Sequence, residues 1–103
     1  MSKRDFPLIF PGEILLKEFL EPLKISQRRL SEDTGISYHL INEIIHGRRA
    51  ITADTALRLG HYFNMEAQFW INLQSHYDME VAMDALEDRL EIEVRPFYKA
   101  AAL

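Results

Sequence analysis

Cysteine is absent from the 103-residue chain. Its absence excludes disulfides, thiolate metal sites and cysteine nucleophiles, and it suits a reducing compartment. No apolar run approaches the roughly 18 residues needed to span a bilayer, and the opening Met1-Ser-Lys-Arg leads into no apolar signal-peptide core. A cytoplasmic protein with no membrane partner is therefore expected. Also missing are a glycine-rich phosphate loop, a nucleophile elbow and an activated serine. The histidines, His39, His46, His61 and His76, lack the H-E-x-x-H spacing of a zinc helix. These absences leave no catalytic residue, no metal ligand and no cofactor to be expected. There is no internal repeat and no low-complexity segment.

The chain that remains is one small domain, 48% hydrophobic. A core of that size is modest, and a second copy is a plausible way to bury what it leaves exposed. The formal charge is −4, but it is unevenly spread. Residues 1–23 carry −1 and residues 50–103 carry −5, whereas residues 24–49 carry +2 through Lys24, Arg28, Arg29, Arg48 and Arg49. Phosphate neutralisation needs local rather than global positive charge, so the middle of the chain is where an anionic polymer would bind.

Three regions follow: an arm over residues 1–10, a domain over 11–82, and an acidic helix end and tail over 83–103. "MSKRDFPLIF" lacks clean periodicity and reads as an arm with apolar anchors. From Pro11-Gly12, the apolar Ile14, Leu15, Phe19 and Leu20 recur at helical spacing until Pro22, giving a first helix. Ser26 caps a second, "QRRLSEDT", which Gly35 ends, and Ser37 caps a third, which Gly47 ends. Thr52 caps "ADTALRLGHYF", broken at Asn64. A long fifth helix starts near Glu66, with Phe69, Trp70, Leu73, Tyr77 and Val81 at three- to four-residue spacing. Beyond Leu90, "LEIEVRPFY" alternates apolar and polar and suggests a short strand stopped near Pro96. "KAAAL" is expected to fray.

The second and third helices around a glycine turn form a helix-turn-helix. Leu30, Ile36, Ile41 and Ile44 fall where the helices and turn share a core, Ser31 is small where they cross, and Gly35 takes the turn. In that geometry the third helix enters the DNA major groove by its N-terminal end, presenting Ser37, Tyr38, His39 and Asn42. Asn42 can pair with adenine through two hydrogen bonds, His39 and Ser37 suit several base edges, and Tyr38 can meet a phosphate or a thymine methyl. Ser26 and Gln27 stand at a helix N-terminus that favours an anion, and Arg48 and Arg49 flank the next phosphate. The arginine pair positions the domain and does not read sequence.

Residues 11–82, "PGEILLKEFLEPLKISQRRLSEDTGISYHLINEIIHGRRAITADTALRLGHYFNMEAQFWINLQSHYDMEVA", resemble the HigA-type antitoxins, also called virulence-associated protein I, of the XRE group. The motifs that carry the resemblance are "PGEILLKEFLEPL", "INEIIHGRRAITADTALRL" and "FWINLQSHYDMEVA". The resemblance implies an all-α, five-helix, lambda-repressor-like dimer. It also implies a partner, a HigB-type toxin that is an mRNA-cleaving RelE-like ribonuclease, and repression of its own operon through a palindromic operator. Leu40 departs from the polar or basic residue common at that place in the family, which moves base contact to His39 and Asn42.

The stripe Phe69, Trp70, Leu73 and Tyr77 reads as core, or as a dimer or partner surface whose two-fold axis would set two recognition helices about one DNA turn apart. From Asp78 to Glu93, seven carboxylates face one Arg89. They form either a solvated helix face or a surface complementary to a basic ribonuclease. Two further readings stay open. A free-standing regulator of the same fold would have no ribonuclease gene beside it, and a purely protein-binding module would bind without losing affinity as salt rises.

Overall fold

In the computed structural model, which describes residues 8–98, Phe10 is extended at φ −88° and Pro11 takes the first helical position. A proline's missing N–H costs nothing there. Helix α1 then covers residues 11–23. Pro11–Ile14 and Glu21–Leu23 are α-helical, and Leu15–Leu20 between them winds wider, so that the Glu21 N–H reaches the Leu16 carbonyl. The sequence pattern stops this helix at Pro22, but it ends one residue later, with Lys24 left-handed at φ 58°. In regular winding the Pro22 ring would press on the carbonyl four residues back, and the wider turn relieves that clash.

Helices α2, Gln27–Thr34, and α3, Tyr38–Ile45, follow as expected, joined through Gly35 at φ 78°. Helix α4, Ala53–Phe63, starts at Thr52, whose side chain accepts the Thr55 N–H, and ends at Asn64 in the left-handed region. Helix α5 spans Ala67–Leu86. Leu15 and Leu20 of α1, Leu30 of α2, Ile41 and Ile44 of α3, Leu59 of α4 and Trp70 of α5 all lie in one buried cluster, with Ile36 and Ile51 plugging the connecting turns. Leu30, Ile36, Ile41 and Ile44 are thus the shared core that the helix-turn-helix register requires.

One approach is closer than side chains allow. A Cβ on Gly12 would lie 1.8 Å from the Ile44 carbonyl oxygen. Helix α1 therefore rests backbone to backbone on the C-terminal turn of α3, which it holds from behind.

The far end of the chain differs from the strand expected near residues 91–96. Glu87 takes φ 42° and breaks α5, and Arg89–Glu93 forms a short helix, α6, supported by an Arg89–Glu93 ion pair at 2.9 Å. Val94 to Tyr98 continue without regular structure, and no strand occurs among the described residues. Leu90 and Val94 alternate with polar neighbours but are also four apart, which suits one helical turn equally well, and the Val94 N–H does bond to the Leu90 carbonyl at 3.0 Å. A strand would have needed a neighbour to complete its ladder. Lys99 to Leu103, expected to fray, lie outside the described residues, as do residues 1–7 of the arm.

Extents of 58 × 30 × 21 Å and a radius of gyration of 17.9 Å exceed the roughly 13 Å of a compact hundred-residue domain. Helix α5 extends past the core. Its first half packs on α4 and the core, while its second half, with Met79 and Met83 exposed, projects beyond them.

Gly12→Ala should lower thermal stability strongly, because the new methyl has only backbone to displace. Overpacking of this kind costs at least about 2 kcal/mol, or about 10 °C in Tm for a domain of this size. A melting temperature within about 2 °C of the parent would show that α1 does not rest on α3.

Candidate nucleic-acid interface

Both helices of the motif begin with a satisfied cap. Ser26 Oγ accepts the Arg29 N–H at 3.0 Å, and Ser37 Oγ accepts the Leu40 N–H at 3.1 Å. Each cap satisfies one of the amides a helix start leaves open and leaves the others directed outward. The turn between the helices is bolted internally. Ser31 Oγ donates to the Ile36 carbonyl at 2.6 Å, and Thr34 Oγ1 donates to the Leu30 carbonyl at 2.6 Å while accepting the Ile36 N–H at 3.2 Å. Such bonds fix the angle between α2 and α3 without help from outside the motif.

On the outward side of α3, Tyr38 is 52% exposed and His39 is exposed. Asn42 is half-buried, because its Nδ2 donates to Gln27 Oε1 at 3.3 Å. That bond joins the first residue of α2 to the middle of α3 and orients both amides. Asn42 keeps one N–H and its carbonyl oxygen, the donor and acceptor that match adenine N7 and N6. Leu40 is half-buried against the core, in keeping with its lack of a base-contacting role. Ile45, next to Ile44, is buried in the core as well.

Arg48 and Arg49 leave the other end of α3. Arg48 lies 3.6 Å from Glu43 with its side chain 64% exposed, and Arg49 is exposed. Their loop is held on two sides. Gly47 turns at φ 76° with the Phe10 ring 3.3 Å from where a Cβ would stand, so the end of the arm lies over the turn. Beyond it, the Ile51 N–H donates to the buried Gln74 Oε1 at 2.8 Å.

The back of the motif is tied to α4. Arg58 Nη1 donates to the Thr34 carbonyl at 2.9 Å and Arg58 Nε to Asp54 at 2.7 Å, which sets a guanidinium on the negative end of α2. The Tyr62 hydroxyl donates to Asp33 at 2.8 Å, and Arg29 Nε meets the same carboxylate at 3.3 Å. The hydrogen bond to Asp33 holds the Tyr62 phenol above its ordinary pKa, with burial and the carboxylate's charge acting in the same direction.

The structure therefore brings Ser26, Gln27, Ser37, Tyr38, His39 and Asn42 to the starts of two adjoining helices, and puts Arg48 and Arg49 just past the end of the second. Arg28, exposed in the first turn of α2, belongs with them, and charge alone could have identified it. Gln74 escaped the sequence reading, although its signal was present. A lone amide four residues after Trp70 stands on the buried stripe of α5, and a buried amide must have partners. Trp70 needs correction as a surface residue. It is fully buried within the single chain, with ring centroids 4.9 Å from Phe19 and 5.1 Å from Phe69. Phe69 remains 37% exposed, and Leu73 and Tyr77 are half-buried. Among the described residues, no three His, Asp or Glu side chains cluster closely enough to hold a metal ion, and no helix is long and apolar enough to cross a membrane.

Two capped helices around a glycine turn, with polar side chains outward on the second, define a helix-turn-helix protein. The family model described as a helix-turn-helix domain matches residues 14–74. Virulence-associated protein I of Dichelobacter nodosus is 48% identical over 81 residues, which are 79% of this chain and 75% of that protein. Among solved structures, the Pseudomonas aeruginosa antitoxin HigA with the higBA promoter superposes with TM-score 0.84 and 42% identity, covering 89% of this chain and all (100%) of that one. An addiction module antidote protein of the HigA family from Coxiella burnetii gives 0.82 and 39%, covering 89% and 100%. The chain belongs to the HigA-type antitoxin family of helix-turn-helix proteins.

Because the Ser26 and Ser37 hydroxyls are engaged as caps, Ser37→Ala should destabilise the free protein by about 1 kcal/mol, and Ser26→Ala by a similar amount. Urea unfolding without DNA is the check. An unchanged midpoint for Ser37→Ala would mean that the hydroxyl serves only a ligand.

Proposed function

We propose that the protein is an antitoxin and autorepressor, a dimer that binds its own operator and neutralises an mRNA-cleaving toxin of the HigB type. The observation that carries the DNA half is the Gln27–Asn42 bond, which orients the outward amide of α3 before any DNA is present. An eight-residue α3 is about 12 Å long, close to the width of the major groove. Ser26, Gln27 and Arg28 then face one backbone wall of the groove and Arg48 and Arg49 the other, while Tyr38, His39 and Asn42 face base edges. The Pseudomonas aeruginosa relative was solved with the promoter of its own operon, which supports a self-regulating role.

Half of α5 supports the dimer reading. Phe69, Leu73 and Tyr77 expose apolar surface on its first half, and Met79, Met83, Ile92 and Phe97 lie exposed beyond it. A second copy on this face would cover them and set two recognition helices in register with a palindrome. The toxin surface is assigned to the acidic residues from Asp78 to Glu93, whose charge complements a protein that must attract RNA. The action is stoichiometric binding in the cytoplasm, with no catalysis and no cofactor.

The deciding experiment is a salt titration of binding to the DNA upstream of the gene, beside a scrambled duplex of equal length. Tight, salt-sensitive preference for the upstream duplex is expected, whereas equal weak binding to both would refute the repressor. Arg48→Ala with Arg49→Ala should weaken binding to both duplexes by similar factors and flatten the slope of log K against log salt by about 1 to 2. Asn42→Ala should instead relax the choice at one base pair by about 1–3 kcal/mol, with the slope kept.

A further inference from the structure

Among the described residues Gln74 is the one side-chain amide buried in the core, and both of its ends are engaged. Its Oε1 accepts the Ile51 N–H at 2.8 Å and its Nε2 donates to Asp78 Oδ1 at 2.9 Å. Ile51 is itself buried and stands two residues beyond Arg49. Arg48, Arg49, Gln74 and Asp78 line a single cleft of about 190 Å³ between the loop and α5. The near side of the loop is held by the Arg48 N–H on the Glu43 carbonyl at 2.8 Å, and its far side by this apolar plug, whose backbone amide is bonded to a helix 23 residues away.

We propose that Gln74 is a positioning residue for DNA binding. By holding the Ile51 amide, it completes the anchoring that the Arg48 N–H on the Glu43 carbonyl begins, so that the backbone of Arg48 and Arg49 meets the phosphates already ordered while their side chains stay exposed. The inference rests on the DNA-binding reading above. Its physical basis is that a long side chain loses less freedom on binding when its backbone is already immobile. Without the carbonyl of Gln74, the Ile51 N–H would be buried and unsatisfied, and the loop would have to open to hydrate it. Asp78 sets the orientation of the amide. Only with Nε2 on the carboxylate does the oxygen point at Ile51, since an amide that flips would oppose two N–H groups. A carboxylate beside a DNA-binding arginine pair is electrostatically unfavourable for binding phosphate, and this orienting role gives a reason for its presence.

The test uses the full chain, with duplex binding read by fluorescence anisotropy over a salt series and exchange of the Ile51 amide read by NMR. Gln74→Met keeps the volume and removes the acceptor. It should cost about tenfold or more in affinity for the upstream duplex, lower the salt slope by about one, and speed Ile51 exchange, while base preference stays as in the parent. Asp78 provides a second arm that does not touch the core. Asp78→Asn can still accept from Gln74 and should bind DNA at least as tightly as the parent, whereas Asp78→Ala should bind several-fold more weakly than Asp78→Asn. If charge alone mattered, both Asp78 variants would tighten binding equally, and that result overturns the proposal even if Gln74→Met fails to fold. A folded Gln74→Met with parental affinity and slope overturns it too. If the unmodified protein does not distinguish the upstream duplex from the scrambled one, the DNA-binding reading itself falls, and the positioning role falls with it.

Discussion

The recognition helix occupies its place because α1 can touch it without side chains between them. At Gly12 the two backbones meet at a distance that any Cβ would forbid, and Pro11 just before it starts the helix at that contact. This approach settles the height of α3 above the core. Once Ile41 and Ile44 are sunk in one cluster with Leu15 and Leu20, the opposite face of the same helix stays open at Tyr38 and His39, with Asn42 engaged by Gln27. Tyr38 and His39 are outward because the apolar positions of α3 have been drawn inward. The exposure of the candidate DNA-reading residues is thus a consequence of packing at the other side of a short helix.

A second theme is that the candidate interface satisfies itself first. The cap serines bond their own amides, Ser31 and Thr34 close the turn, and Gln27 engages Asn42. Each bond contributes modestly, in the range of about 0.5–1.5 kcal/mol. Their joint effect is on entropy, since groups that are already ordered lose little on meeting a ligand. The arginines are treated differently. Arg48 and Arg49 remain exposed on the loop past α3, and the phosphate contact proposed for them needs a charge but not a fixed rotamer.

Helix α5 does two jobs along its length. Its first half, through Trp70 and Gln74, completes the core and anchors the basic loop. The second half leaves the domain and carries all three carboxylates of the helix, Asp78, Glu80 and Asp84, together with exposed Met79 and Met83. The whole helix is about 30 Å long, so the loop contact at Gln74 and the projecting end at Leu86 lie about 18 Å apart on one rigid rod.

Much of this was present in the sequence itself. Ser26, Ser37 and Thr52 announced helix starts, Gly35 and Asn64 announced ends, and the register of Leu30, Ile36, Ile41 and Ile44 announced the motif, because caps and periodicity are local properties that a neighbour seldom overrules. Outward positions on α3 followed from that register, and the basic character of residues 24–49 from the charges along the chain. Tertiary structure decided the rest. Trp70 and Phe69 are adjacent and similar in character and both pack on Phe19, yet Trp70, which also meets Phe63, is core and Phe69 is half-open, a difference that only the packing of α1 and α4 on α5 decides. Alternation after Leu90 fits a strand or a helical turn, and with no neighbouring strand among the described residues the turn formed. Gln74 could be seen as an amide on an apolar stripe, but its partner is a backbone N–H far along the chain. A long-range hydrogen bond leaves no periodic trace, so only the folded molecule shows which group it holds.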